Sequence, residues 1–260
     1  MQQGAVSRNY GRILQTAGFC TRYSNILPYD YNIPTLDSYI NASRVIFEDI
    51  AFIATQAPMI AFFSGRTETL SHFIDMTLAS GSKTIVTLLN KAESGKADPY
   101  WEGNQPLDGD RWLVCEKQEP LVHTPRGERL VKRTLLIKDK NQIELDRVTQ
   151  FHYEHWPDHG PPNEELFNDF LTKIEKHAEK GPLVTHCSAG VGRTGTFIAA
   201  LGLRKKMREQ LAKDSKTKPT VNMAQVILEL RLQRNGMIQS ASQISAIEAA
   251  LKTHYQELTA

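Results

Sequence analysis

The stretch Leu183–Gly195, which reads LVTHCSAGVGRTG, constrains the fold of this chain more than any other segment. Its first residues, Leu183–Thr185, are typical of a short buried strand, and the apolar run Thr196–Leu203 that follows favours a helix. Gly190 and Gly192 allow a tight turn between the two, because glycine adopts backbone torsions that side chains forbid. This segment therefore predicts a strand–loop–helix unit, and one α/β domain is the simplest interpretation of a chain of 260 residues.

The loop of this unit carries a cysteine, Cys187, and an arginine six residues later, Arg193. Free N–H groups and the dipole at a helix N-terminus favour an anion there. The same field lowers the pKa of Cys187 and favours its thiolate. The planar guanidinium of Arg193 matches two oxygens of a phosphate group. This combination predicts phosphoryl transfer through a cysteinyl-phosphate.

A structural cysteine, a zinc site and a nucleotide-binding loop all fit this segment less well. A structural cysteine needs neither two glycines nor an arginine at this spacing. A zinc site needs further ligands near Cys187, and the sequence contains no Cys-x-x-Cys. A nucleotide-binding loop needs Gly-Lys-Ser/Thr, whereas Arg193 stands at the position of the lysine.

The decapeptide HCSAGVGRTG of His186–Gly195 resembles the phosphate-binding loop of the protein tyrosine phosphatases. The shorter pattern Cys-x5-Arg is shared with dual-specificity and lipid phosphatases. The resemblance runs from about Arg22 to the last helix. It implies a single α/β domain over residues 1–260, with a highly twisted mixed β-sheet flanked by α-helices, and it implies that Cys187 is the nucleophile.

Composition limits the classes of protein and partner. The 260 residues are 40% hydrophobic and 23% charged, which is ordinary for one globular domain. A net charge of +2 is too small to indicate a nucleic-acid partner. Three cysteines, Cys20, Cys115 and Cys187, form no disulfide framework and favour a reducing, cytoplasmic compartment.

The N-terminal residues 1–20 show no apolar signal core, and we expect them to form an arm or short helix on the domain. No run approaches the roughly 20 apolar residues of a membrane span. The sequence leaves open both a eukaryotic enzyme and a bacterial effector delivered into a host cell. Nothing in it addresses oligomerisation, and a monomer is the default expectation.

The segment Arg22–Asp30, here called the tyrosine loop, reads RYSNILPYD and resembles the phosphotyrosine-recognition loop of the same family. The residues alone indicate a loop, and a tyrosine on a loop covers a pocket about as often as it packs on its neighbours. The resemblance implies that Tyr23 stacks on the substrate ring and that Asn25 bonds the substrate main chain. In an extended segment, Tyr23 and Asn25 point to the same side.

The segment Trp156–Pro162, here called the acid loop, reads WPDHGPP and ends the preceding strand pattern. It resembles the movable acid loop of the tyrosine phosphatases. The resemblance implies that Asp158 protonates the departing tyrosine oxygen and then accepts a proton from water.

The polar loop Asn90–Trp101 is ordinary in composition. The resemblance implies that Glu93 braces Arg193 through a salt bridge. It also implies that Lys96 positions the acid loop.

A last set of site residues follows from the resemblance. The stretch Val221–Ser240 resembles the family's penultimate helix and the glutamine loop after it. In that loop Gln239 orients the hydrolytic water; Gln243 bonds the phosphoryl oxygens, and Thr194 stabilises the leaving thiolate. The backbone amides between the nucleophile and Arg193 hold the phosphate; they belong to Ser188, Ala189, Gly190, Val191 and Gly192. Arginine and amides supply the positive field, so no metal or cofactor is expected.

Periodicity predicts the remaining elements. Helices are predicted at Thr67–Ser80, Asn163–Lys180, Thr196–Leu211 and Ser242–Leu258, and strands at Thr84–Leu89, Arg111–Gln118, Leu130–Lys138 and Arg147–His155. The main function predicted is hydrolysis of phosphotyrosine in proteins. Two alternatives remain: a dual-specificity or phosphoinositide phosphatase, and a non-catalytic phosphotyrosine-binding module.

Overall fold

One mixed sheet of eight strands organises the chain. The computed structural model describes residues 20–36, 38–60, 67–90, 95–125, 127–214 and 218–260. In chain order the strands are β1 (Ala42–Phe47), β2 (Ile50–Thr55), β3 (Thr84–Leu88), β4 (Asn104–Leu107), β5 (Arg111–His123), β6 (Arg129–Asp139), β7 (Glu144–Tyr153) and β8 (Leu183–His186). Their order across the sheet is β1-β2-β8-β3-β7-β6-β5-β4.

The four central strands β2, β8, β3 and β7 run parallel, and the outer strands pair antiparallel on both sides. Every residue of β3 and β8 is buried, as expected for parallel strands covered on both faces. Strand β8 lies between β2 and β3, so the loop after it opens at the carboxyl edge of the sheet. Ligands of open α/β sheets bind at this edge.

Helices cover both faces of the sheet. Those of the described residues are α1 (Leu70–Ala79), α2 (Glu164–Ala178), α3 (Gly192–Lys213), α4 (Met223–Gln233) and α5 (Ala241–Thr259). Helix α1 packs on one face, in a core that includes Ile85 and Val184. The other four helices pack in a second core, which takes the neighbouring residues Val86 and Leu183. This alternation is the period-two pattern of a strand buried on both sides.

The fold class predicted from the sequence, a mixed sheet flanked by helices, is confirmed. Strands β1, β2 and β4 were not predicted. The helix expected at Thr196–Leu211 begins four residues earlier, at Gly192, which places Arg193 in its first turn. Apart from Cys20, the arm predicted over residues 1–20 lies outside the described residues. None of the helices in the described ranges is long and apolar enough to cross a membrane.

Candidate active site

The cysteine loop, Cys187–Arg193, connects the end of β8 to the first turn of α3. Gly190 adopts φ +72°, and a Cβ there would lie 2.1 Å from the carbonyl oxygen of Thr55. A side chain at this position would therefore clash with the backbone of β2. Glycine is required here by close approach as well as by torsion.

The carbonyl groups of residues 187–191 accept hydrogen bonds from outside the loop. Their donors are His186 Nδ1 to Cys187 (3.1 Å), Ala57 N to Ser188 (3.0 Å), Arg234 Nη2 to Ala189 (3.2 Å), Arg234 Nε to Gly190 (2.8 Å) and Ile238 N to Val191 (3.3 Å). In a trans peptide the C=O and the next N–H point in opposite directions. The N–H groups of residues 188–192 are therefore directed away from these donors, and the Gly190 N–H lies 3.3 Å from the Cys187 Sγ.

Arg234 is a site residue that the sequence analysis missed. Its fully buried guanidinium binds the Ala189 and Gly190 carbonyls and also Asn41 Oδ1 on its outer side, at 2.9 Å. Burial lowers its pKa to about 10, so it remains a cation at neutral pH. Arg234 thus orients two of the loop amides. No sequence signal marked it, because its partners, Asn41 and the two loop carbonyls, are distant from it in the sequence.

His186 is a second residue whose role the sequence did not reveal. It is fully buried, and burial lowers its pKa to about 4, so the ring is neutral. Its Nδ1 faces the Cys187 carbonyl, which only accepts, so Nδ1 carries the hydrogen. Nε2 then accepts, with the hydroxyls of Tyr100 at 2.9 Å and Thr87 at 3.0 Å. This chain of hydrogen bonds fixes the first peptide of the cysteine loop.

The environment of Cys187 favours its thiolate. The residue is only 3% exposed, and burial raises the pKa of the thiol. The charge of Arg193, the hydroxyl and N–H of Thr194 and the N–H of Val191 outweigh burial, and the net pKa of Cys187 is lowered. The cations and amides therefore create a nucleophile at the floor of the site.

We expect alkylation to distinguish the three cysteines. Burial raises the pKa of Cys20 and of Cys115, whereas the pKa of Cys187 is lowered. At about two pH units below the ordinary thiol pKa of about 8.5, limiting iodoacetamide should modify Cys187 alone, as measured by peptide mass spectrometry.

Exposure alone predicts a different order, because Cys115 is more exposed than Cys187. Arg193→Met should move the alkylation midpoint of Cys187 to higher pH, since it removes the largest lowering influence on that pKa. Equal modification of the three thiols, or an unchanged midpoint in Arg193→Met, would contradict the thiolate assignment.

The acid loop places Asp158 directly opposite the cysteine loop. One carboxylate oxygen lies 3.3 Å from Arg193 Nη2, and the other lies 2.7 Å from Lys96 Nζ. Burial raises the pKa of Asp158. The Lys96 hydrogen bond and the charges of Arg193 and His159 lower this pKa by more than burial raises it, so the net shift is downward. Without an anion in the site, Asp158 is therefore ionised and paired with two cations.

Trp156 fixes the start of the acid loop. Its side chain is fully buried, packs 4.9 Å from Phe167 between ring centroids, and donates from Nε1 to the Gly160 carbonyl at 3.1 Å. The Trp156 carbonyl in turn accepts a hydrogen bond from Arg193 Nη1 at 2.9 Å. Arg193 thus connects the acid loop to the cysteine loop, and its own side chain is 1% exposed.

The tyrosine loop reaches the rim of the same site. The hydroxyl of Tyr23 lies 2.7 Å from Ser188 Oγ. The backbone of Tyr23 is bound by the Gln56 side chain, whose Oε1 accepts from the Tyr23 N–H and whose Nε2 donates to the Tyr23 carbonyl. The prediction of an extended segment around Ser24, with Tyr23 and Asn25 on one side, is wrong. A turn closed by Ile26 N to the Tyr23 carbonyl, at 3.1 Å, replaces it, and the exposed Asn25 lies within that turn.

The glutamine loop packs on the start of α3. A Cβ on Gly192 would lie 2.5 Å from Gln239 Oε1 and 3.0 Å from Gln243 Nε2, so both amides lie beside the cysteine loop. The Gln239 N–H donates to Gln243 Oε1 at 2.7 Å. Gln239 is exposed at the mouth, whereas Gln243 is buried.

One predicted site residue, Glu93, lies outside the described residues, so its proposed salt bridge with Arg193 stays a prediction. Tyr23, Lys96, Asp158, Gln239 and Gln243 lie at or beside the cysteine loop. Asn25 lies exposed in the turn of the tyrosine loop, and its contact with the substrate stays a prediction. Within the described ranges, no three His, Cys, Asp or Glu side chains come close enough to hold a metal ion.

Comparison with known proteins identifies the family. The family model described as protein-tyrosine phosphatase matches residues 20–252. Tyrosine-protein phosphatase 2 of Dictyostelium discoideum is 30% identical over 226 residues, which cover 84% of this chain and 56% of that protein. Tyrosine-protein phosphatase 99A of Drosophila melanogaster is 33% identical over 88% of this chain and 18% of that protein.

The human receptor-type tyrosine-protein phosphatase H is 34% identical over 73% of this chain, and the match again covers 18% of that protein. The chain therefore spans just over half of the first relative and less than a fifth of the other two. The family match extends from the tyrosine loop through the acid and cysteine loops into α5. On this match, the chain belongs to the protein-tyrosine phosphatase family.

Proposed function

We propose that this chain hydrolyses phosphotyrosine in proteins through a cysteinyl-phosphate intermediate. The observation that carries the proposal is the grouping of the Cys187 thiol, the Gly190 N–H 3.3 Å from its Sγ, and the Arg193 and Asp158 side chains, which lie 3.3 Å apart. Nucleophile, anion-binding donors and acid are the groups that phosphoryl transfer requires.

In the first step, the Cys187 thiolate attacks phosphorus and the bond from phosphorus to the tyrosine oxygen breaks. The amides of the cysteine loop and the guanidinium of Arg193 stabilise the charge on the three equatorial oxygens. Asp158 gives its proton to the departing phenolic oxygen. A dianionic phosphate next to Arg193 offsets the cations that lower the pKa of Asp158, so substrate binding favours the protonated acid.

In the second step, water attacks the cysteinyl-phosphate and the bond between sulfur and phosphorus breaks. Asp158, now ionised, accepts a proton from the water, and Gln239 orients that water from the mouth of the site. The Thr194 hydroxyl and Arg193 stabilise the released thiolate, as they stabilise it in the free protein. Gln243 supports Gln239 through its hydrogen bond to the Gln239 N–H.

The position of Tyr23 supports tyrosine rather than serine phosphate as the substrate. Its hydroxyl bonds Ser188 in the cysteine loop, so its ring lies at the rim above the nucleophile. A substrate ring that stacks on Tyr23 would span the distance from this rim to Cys187. The shorter stem of phosphoserine would leave its phosphorus above Cys187.

The substrate class is tested with one peptide carrying either phosphotyrosine or phosphoserine. We expect hydrolysis of the phosphotyrosine peptide alone. Tyr23→Ala should lower kcat/KM for this peptide and for a small aryl phosphate, because both carry a ring. Asn25→Ala should lower kcat/KM for the peptide alone, up to about tenfold, since one main-chain hydrogen bond contributes about 0.5–1.5 kcal/mol.

The ratio of variant to wild-type kcat/KM, measured for Tyr23→Ala and Asn25→Ala on the peptide and on the aryl phosphate, separates the possible outcomes. Equal losses on both substrates in Asn25→Ala would mean that the tyrosine loop supports the fold rather than binding the peptide. Hydrolysis of the phosphoserine peptide or of a phosphoinositide would favour the dual-specificity or lipid phosphatase alternative.

We also propose that residues 1–260 form one catalytic domain that acts as a monomer in a reducing compartment. One sheet and one family match support a single domain. The nucleophile, the anion-binding donors and the acid that the proposed reaction requires all lie within this chain. Cys20, Cys115 and Cys187 are free thiols, which suits the cytoplasm, either of the cell of origin or of a host cell.

A further inference from the structure

A cluster of three oxygen atoms joins the acid loop to the start of α5. The His159 carbonyl oxygen lies 3.1 Å from Ser240 Oγ and 3.1 Å from Ser242 Oγ. The two hydroxyl oxygens lie 2.9 Å apart. His159 itself follows Asp158 directly, and its imidazole is 64% exposed, so its backbone carbonyl makes this contact.

In this cluster at least one of the two serine hydroxyls must donate a hydrogen bond to the His159 carbonyl of the acid loop. A carbonyl oxygen only accepts, and each hydroxyl has one hydrogen to donate. Either both hydroxyls donate to His159, or one donates to the other, which then donates to His159. In each arrangement the acid loop receives at least one hydrogen bond from the segment next to Gln239.

The backbone of His159 also needs such support. Its φ is +57°, a left-handed conformation that residues with a side chain rarely hold unless their surroundings fix it. The cluster fixes the carbonyl side of this residue. On the other side, Asp158 is bound by Lys96 and Arg193.

We propose that Ser242 is a positioning residue that holds the acid loop in the conformation in which Asp158 faces Arg193. The inference rests on the proposed function, because it assigns Ser242 an effect through the general acid. Ser242 thereby couples the acid loop, which carries Asp158, to the glutamine loop, which carries Gln239. It touches neither substrate nor reacting atoms.

Ser242 is a better test of the cluster than Ser240. The Ser240 side chain is also the N-cap of α5 and accepts from the Gln243 N–H at 3.3 Å. Its removal would weaken the helix and move Gln243 as well. Ser242 lies in the first turn of α5 and has no capping bond to the helix among the described contacts.

The experiment measures kcat/KM on two aryl phosphates, phenyl phosphate and 2,4-dinitrophenyl phosphate, which differ in their need for an acid. We expect Ser242→Ala to lower kcat/KM about two- to tenfold on phenyl phosphate, the effect of one hydrogen bond on a loop equilibrium. The loss should be smaller on 2,4-dinitrophenyl phosphate, whose leaving group needs no proton. Ser242→Thr should restore the wild-type values.

A double-mutant comparison shows whether the effect passes through Asp158. In an Asp158→Ala background, adding Ser242→Ala should cause no further loss, because there is no acid left to position. Ser245→Ala, which removes an exposed hydroxyl one turn along the same helix, is the matched control and should retain full activity. Melting temperatures establish that each variant is folded, and Ser242→Cys, a weaker donor of similar volume, replaces Ser242→Ala if the alanine variant unfolds.

Three results would overturn the inference: no loss in Ser242→Ala, an equal loss on both aryl phosphates, or a loss that persists in the Asp158→Ala background. Each of these leaves wild-type phosphatase activity in place. Failure of the proposed function would differ: without phosphatase activity the wild-type chain would hydrolyse neither aryl phosphate, and with another substrate class it would hydrolyse the phosphoserine peptide or the phosphoinositide.

Discussion

We expect Cys187→Ser to abolish turnover of every phosphate ester while leaving the fold intact. The site creates a nucleophile by lowering the pKa of a thiol with Arg193, Thr194 and backbone amides. A serine hydroxyl is far less acidic than a thiol, so the same environment leaves it protonated. The described residues place no general base beside Sγ to activate it.

The same substitution should not weaken binding of a phosphotyrosine peptide. The thiolate and the incoming phosphate are both anionic and share the loop amides and Arg193. Removing the charge of Cys187 relieves this repulsion, so the peptide should bind with equal or higher affinity. Calorimetry and single-turnover kinetics separate binding from chemistry.

Cys115→Ser is the matched control, because Cys115 lies in β5 and its Sγ faces the Lys117 carbonyl rather than a described residue of the site. It should retain wild-type turnover. Turnover near the wild-type rate in Cys187→Ser, with an unchanged melting temperature, would exclude the cysteinyl-phosphate mechanism.

We expect Asp158→Ala to lower kcat on phenyl phosphate by about 10²–10⁴-fold, the range typical of a general acid. The loss should be much smaller on 2,4-dinitrophenyl phosphate, whose leaving group departs without a proton. The substitution also removes a carboxylate that pairs with Lys96 and Arg193. Phosphate binding should therefore be preserved, because both cations remain available to the anion.

The pH dependence of kcat follows from the sign of the Asp158 shift. The cations lower the pKa of Asp158 in the free protein, so its proton is lost at acidic pH. In the complex, the phosphate dianion offsets these cations and raises the pKa. Activity that depends on the protonated acid is then present at low pH and falls as pH rises through the pKa of the complex.

Profiles of kcat against pH for the wild-type chain, Asp158→Ala and Asp158→Asn test this pH dependence. The wild-type chain should show a basic limb on phenyl phosphate, and Asp158→Ala and Asp158→Asn should both lose it. An equal loss of kcat on both aryl phosphates in Asp158→Ala would assign Asp158 to loop structure rather than to proton transfer.

The fold class and the chemistry of the cysteine loop could be predicted from the sequence. The run Leu183–Thr185 is continuously apolar or β-branched because β8 is buried on both faces, and this made the strand visible. The spacing of Cys187, the glycines and Arg193 indicated an anion site. These signals are local, because the strand and the loop that follows it are encoded by neighbouring residues.

Elements without such a local signal were missed or displaced. Strands β1 and β2 form an antiparallel pair within a stretch that reads as irregular, and β8 pairs with β2 across more than a hundred residues. Helix α3 starts at Gly192 although glycine is a poor helix former. Its start is decided by packing, since Gly192 gives space to the amides of Gln239 and Gln243.

The assembly of the site became visible only in the folded chain. Arg234 orients the Ala189 and Gly190 peptides, and His186 orients the peptide of Cys187. Ser242 meets the His159 carbonyl across more than eighty residues of sequence. The sequence could supply the reacting groups, because their chemistry is intrinsic to the residue types. It could not supply the groups that orient them, because orientation depends on a buried hydrogen-bond partner that the fold brings from a distant part of the chain.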